Sequence, residues 1–168
     1  MTITLDKLKS LVQAEGLNFF VDPSRPAILL SFSGHNGAYM VVMLVELDGR
    51  FVQFRTVGYG SCPSEHPHLE AVLRVLGEMD YRLRLTKFGW DPNDGEIVAY
   101  ADLWLEDGTL TQKQLAAMLR AFLPAIDLGR ARITKTMETG VDPDGTTRGG
   151  VRGPGLPVAA PTPDPIVV

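Results

Sequence analysis

The chain has 168 residues, a formal net charge of −4 and a single cysteine. That length suits one ordinary domain with a real core, and the acidic balance leaves no basic footprint for nucleic acid or anionic lipid. One cysteine excludes an intrachain disulfide and fits a cytoplasmic setting, no apolar run reaches the roughly 20 residues of a membrane helix, and the charged, amphipathic residues 1–18 do not read as a signal peptide.

Thr4 is a good helix N-cap, and Ile3 lies five residues before Leu8, the spacing of a hydrophobic staple. Leu5, Leu8, Leu11 and Val12 form one apolar stripe, so a first helix is expected over about residues 4–15. A short apolar segment, residues 18–21, is stopped by Asp22-Pro23. Residues 27–33 follow as a strand with Ile28, Leu30 and Phe32 on one side, and Gly34 to Gly37 turn the chain. Residues 38–47 are apolar at nearly every position, which predicts a central strand covered on both faces. Asp48-Gly49 turns it into residues 51–57, where Val52 and Phe54 alternate with Gln53 and Arg55 as in a half-exposed strand.

Residues 58–67 read as a loop rich in Gly, Pro and Ser. Leu69, Val72, Leu73, Leu76 and Met79 then mark the apolar side of a second helix. Lys87 to Leu105 reads as a long hairpin turning at Asp94-Gly95. A two-residue loop pairs Phe88 with Ala101 and Trp90 with Ala99, on one face with Ile97 and Leu103. A four-residue loop, Pro92 to Gly95, keeps these faces and shifts the pairings, whereas a three-residue loop swaps the faces. After the break at Asp107-Gly108, Thr111 and Gln114 form a capping box, with a staple from Leu110 to Leu115. Leu115, Met118, Leu119, Phe122 and Ile126 stripe the third helix, which Pro124 either kinks or ends. Residues 141–168 have the Gly and Pro bias of a disordered tail, leaving residues 1–140 as the folded domain.

The order of these elements resembles the YbjN family. So do Phe51-Val52-Gln53-Phe54, the helix at 68–80, Lys87-Phe88 with Asp94-Gly95-Glu96-Ile97, and Asp107-Gly108 followed by Leu110-Thr111 and Gln114-Leu115. That family is labelled as bacterial sensory transduction regulators and belongs with the type III secretion chaperone-like domains. The resemblance covers about residues 4–128. It implies an α+β fold in which an antiparallel sheet of about five strands packs with three helices. It also implies a non-enzymatic module, chaperone-like or regulatory, that binds a protein partner or peptide segment and is commonly a homodimer. It carries over no catalytic residue, and no cofactor is called for.

The surface expected to hold a partner is the second face of the hairpin, where Leu85, Tyr100 and Trp104 project large apolar groups that need either a helix of the same chain or a partner over them. The alternative is a small metal- or cysteine-dependent enzyme using Cys62, His66 and His68, since thiolate and imidazole are zinc ligands. The spacing C-x3-H-x-H fits no standard zinc pattern, and polar residues at a helix start explain it as well. Asp91, Asn93 and Asp94 suggest a calcium loop, but Gly95 falls one position short of the required glycine and turn chemistry accounts for them. Asp142-Pro143-Asp144-Gly145-Thr146 resembles the aspartate motif of haloacid dehalogenase-type phosphatases without the buried strand that motif must end. Gly58-Tyr59-Gly60 is too short for a phosphate loop and reads as a bend.

Overall fold

The computed structural model describes residues 2–106 and 108–145. Asp107, Thr146 and the remainder of the expected tail lie outside the described residues. The elements run α1 (Leu5–Ala14), β1 (Phe20–Val21), β2 (Ala27–Ser33), β3 (Ala38–Glu46), β4 (Phe51–Val57), β5 (Gly60–Ser61), α2 (Leu69–Arg82), β6 (Lys87–Trp90), β7 (Glu96–Trp104) and α3 (Gln112–Thr139). The fold is α+β with three helices and one antiparallel sheet. The sheet has seven strands against the five or so expected, because two additional pieces, β1 and β5, are only two residues long.

Local signals set the helix starts. Thr4 accepts the N–H of Lys7 at 3.2 Å, and Ile3 and Leu8 are both buried, as the staple requires. At α3 the N–H of Thr111 donates to Gln114 Oε1 at 2.9 Å while Gln114 N–H donates to Thr111 Oγ1 at 3.2 Å, with Leu110 and Leu115 fully buried beside them. In α2 the buried residues are Val72, Val75, Leu76 and Met79. Leu73, expected on the apolar side, is instead 39% exposed, since it lies a third of a turn off that stripe.

The third helix neither ends nor breaks at Pro124. It continues to Thr139 and closes on Gly140, whose φ of 71° is the left-handed cap. Pro124 costs one intrahelical hydrogen bond, and the burial of Phe122, Ala125, Ile126 and Ile133 on either side of it outweighs that loss. The half beyond Pro124 crosses the sheet and supplies polar contacts the sequence had not marked.

The strands pair in the order β1-β2-β3-β4-β7. Tyr100 of β7 is flanked by Arg55 and Lys87, and Ile97 by Gly60 and Trp90, so β7 carries β4 and then β5 along one edge and β6 along the other. Phe88 pairs with Ala99 and Trp90 with Ile97. The hairpin therefore has the four-residue loop, closed by the N–H of Asp91 on Glu96 O, and the two-residue register is shifted while its faces are kept. Phe88, Ile97, Ala99 and Ala101 point to the core.

All three helices bury their stripes against this inner face, where Val41, Met43, Val52, Phe54 and Phe122 form the centre. Among the described residues no helix lies over the outer face. For β3 this corrects the expectation of cover on both sides: Val42, between Leu29 and Arg55 in the ladder, is buried, but Met40 is 43% exposed. Residues 141–145, assigned above to the tail, return along α3, and Asp142 accepts two hydrogen bonds from Arg132 at 2.8 and 2.6 Å. The packed region thus extends past Gly140.

Candidate interaction surface

Pleating sends the even residues of β7 outward. Cross-strand pairing then builds the outer face row by row, with Trp104 beside Phe51, Asp102 beside Gln53, and Tyr100 between Arg55 and Lys87. Trp104 is 56% exposed, its ring centroid lies 6.0 Å from that of Phe51, and its indole N–H donates to Glu106 at 2.6 Å. Tyr100 is half-buried. Leu85 is exposed, but the observed register sets it level with Asp102, ahead of the first ladder residue Lys87, and not beside Trp104. Phe51 takes the place expected of Leu85. Its position opposite Trp104 depends on β4 being the neighbour of β7, a pairing between strands with α2 and β6 between them in the chain.

Across the same face Met40 pairs with Val57, both exposed, and Phe20 lies exposed at the far edge beside Leu29. Polar bridges divide these apolar groups: Gln53 donates to Asp102 at 2.8 Å, and Arg55 meets Glu96 at 3.0 Å. The surface is a broad sheet with an aromatic corner and polar staples, unlike a converging catalytic pocket.

The other candidates are dispersed. Cys62 is fully buried, and burial pushes its thiol pKa up, which disfavours the thiolate a nucleophile or metal ligand needs. His68 donates its backbone N–H to His66 Nδ1 at 3.1 Å and its ring N–H to the carbonyl of Met137 at 2.7 Å. Cys62, His66 and His68 do not converge, and among the described residues no three His, Cys, Asp or Glu side chains are grouped to hold a metal. Asp91 accepts from Asn93, and Asp94 from the N–H of Glu96, as turn residues do. Asp142 and Asp144 face Arg132, which leaves neither arranged as a phosphatase nucleophile. Tyr59 is buried between two glycines, its hydroxyl donating to Ile126 O at 2.6 Å.

Two polar knots on α3 went unread in the sequence. Asp127, 9% exposed, accepts from Tyr39 (2.7 Å) and from the backbone N–H groups of Asn36 (2.8 Å) and His35 (2.9 Å), tying the β2–β3 turn to the helix. Burial opposes its ionisation, but these three donors outweigh burial and hold the carboxyl below its ordinary range. Arg132 is the second. Its hydrogen bonds to Asp142 and to Glu78 of α2 raise its pKa further, and they join two helices and the following segment. By helix periodicity Asp127 and Arg132 flank the apolar stripe on opposite sides, where charged residues are ordinarily solvated, so no local pattern signalled them.

Comparison with known proteins places this geometry. The model of the YbjN family, described as "Putative bacterial sensory transduction regulator", matches residues 4–134. The crystal structure of YbjN, a putative transcription regulator from E. coli, superposes with a TM-score of 0.60 at 15% identity, covering 81% of this chain and 92% of that one. The HopA1–SchA chaperone–effector complex contains a chain similar at TM-score 0.52 and 11% identity, with 74% and 90% covered. The ExsC–ExsE complex contains one at 0.51 and 19%, with 79% and 97% covered. No curated protein sequence matches this chain. No helix among the described residues is long and apolar enough to cross a membrane.

Proposed function

Because the chain belongs to the YbjN family, we propose that it is a non-enzymatic protein-binding module of chaperone-like or regulatory type, working in the cytoplasm, and that it holds a partner segment on the outer face of its sheet. The observation that carries this reading is the exposed aromatic corner, with Trp104 exposed against Phe51 and the half-buried Tyr100 two rows further along β7, beyond the Gln53–Asp102 bridge. Apolar rings left on one face of a sheet stabilise the isolated domain little, and when buried by a partner they supply most of the binding energy. Leu85, just ahead of β6, extends the surface. Two of the similar folds come from complexes described as chaperone–effector or as a pair of proteins, which supports protein binding as the class. A second copy of this chain is one partner such a face could accept.

The test compares the parent with Trp104→Ala by affinity capture with mass spectrometry and by light scattering after size exclusion. A stoichiometric partner or a homodimer, lost or weakened by at least about tenfold in the variant while its denaturation curve stays near the parent's, supports the reading. A variant that associates as well as the parent removes this face from the proposal.

A further inference from the structure

Between β5 and the last turns of α3, on the helical side of the sheet, lies a cleft of about 370 Å³. Small-ligand sites span about 300 to 1,000 Å³ and combine apolar walls with a few placed polar groups. Here Tyr59 and Ile133 are buried and Met137 is partly buried, so the walls are apolar. Set among them is Arg130, half-buried, its guanidinium carbon 5.6 Å from the centroid of the Tyr59 ring.

Arg25, Arg55, Arg74, Arg82 and Arg132 each meet a carboxylate. Arg130 has no hydrogen bond or ion pair among the described residues. A guanidinium stays charged, and its planar fork of donors matches a carboxylate. Stacked over the Tyr59 ring, it holds its charge in the cleft with no carboxylate bound to it among the described residues. Two further donors line the cleft. His66 accepts the His68 N–H on Nδ1, which leaves its proton on Nε2, and Thr134 offers a hydroxyl. Glu138, at the rim, is engaged by Lys135 at 3.3 Å.

We propose that this cleft binds the carboxylate of an apolar acid, with Arg130 gripping the carboxylate and Tyr59, Ile133 and Met137 receiving the hydrocarbon body. A free aliphatic acid and the C-terminal residue of an apolar peptide present the same chemistry. The site lies on the opposite side of the sheet from the proposed partner surface and is independent of it.

The experiment is an amide-resolved NMR titration of the full chain with hexanoate, hexanol, hexylamine and N-acetyl-leucyl-leucine. Hexanoate is expected to bind in the millimolar range and to shift Gly60, Ser61, Ile133 and Thr134, with hexanol and hexylamine at least about tenfold weaker. Arg130→Gln should lose about tenfold or more, Arg130→Lys less, and Arg120→Gln, an exposed control, nothing. Because the Arg130 side chain makes no hydrogen bond among the described residues, its variants should keep the parent spectrum elsewhere. Tighter binding of the acetylated dipeptide than of hexanoate points to a peptide terminus, and weaker binding points to a free acid. The absence of saturable shifts up to about 50 mM hexanoate, equal binding of alcohol and acid, or undiminished binding by Arg130→Gln would overturn the proposal.

Discussion

The hydroxyl of Thr56 accepts the N–H of Ala99 at 2.9 Å and donates to its carbonyl at 3.2 Å, where β4 leaves β7 and before β5 rejoins it. A side chain replaces the backbone ladder for one residue at a site with no access to water. Thr56→Val keeps the shape and orphans both groups, so it should cost about 1–3 kcal/mol for each, while Thr56→Ser should be milder. Urea denaturation of the two variants checks this, and equal stability of Val and Thr would show that Ala99 is satisfied some other way. Asp127 makes a pH prediction. Its folded pKa is below the ordinary carboxylate value of about 3.9, so its stabilisation is complete above that value and disappears as pH falls through the lower, folded pKa. Asp142, held down by Arg132, and Asp22, lowered to about 2 by Ser24 and Arg25, have the same sign. Stability should therefore be flat above about pH 5 and decline below about pH 4. Asp127→Asn, which sets an amide donor against the N–H groups of His35 and Asn36, should be less stable at pH 7 and show a shallower acid limb. An acid limb identical to the parent's would mean the carboxylate is not stabilising the turn.

At the level of elements, α3 and β6 meet at Gly129. A β-carbon there would sit 2.7 Å from Phe88 Cζ and 3.1 Å from the Tyr59 hydroxyl, so the helix approaches the sheet only because that position has no side chain. By helix propensity alone Gly129→Ala should stabilise by about 1 kcal/mol. Against this contact it should destabilise instead, because Phe88 is buried in a packed core and cannot yield cheaply. A higher melting temperature for Gly129→Ala would refute the close approach. Phe88→Ala empties the same junction and should cost about 3–5 kcal/mol. Trp104→Ala, on the outer face, should leave the denaturation midpoint nearly unchanged, so the two faces of one hairpin separate stability from association.

For the whole molecule, the end of the packed region is decided by Arg132, which is 9% exposed and paired with Glu78, Asp142 and Asp144. Ending the chain at Gly140 removes two of its three carboxylates and leaves a nearly buried charge underpaired, which is more costly than never having had the pair. That truncation should lower the melting temperature by several degrees, whereas ending at Gly145 should not. Coincident melting of both with the full chain would show that Glu78 alone suffices. Features closed within a few residues could be read from the chain before it folds: the caps at Thr4 and Thr111, the staples, the turn at Asp94-Gly95, and the alternation that assigned Phe88, Ile97 and Ala101 to one face. These are legible because their hydrogen bonds and periodicities are local. The tertiary structure alone decided the loop length, since Gly95 is pinned by Cys62, whose N–H donates to its carbonyl at 2.8 Å across thirty-odd residues of chain. It likewise decided the passage of α3 through Pro124, the partnering of Asp127, Arg132 and Thr56, and the exposure of Trp104. Each of these is settled by which distant segment arrives at a site, and the energy that brings it there is burial summed over the core, to which no single stretch of sequence bears witness.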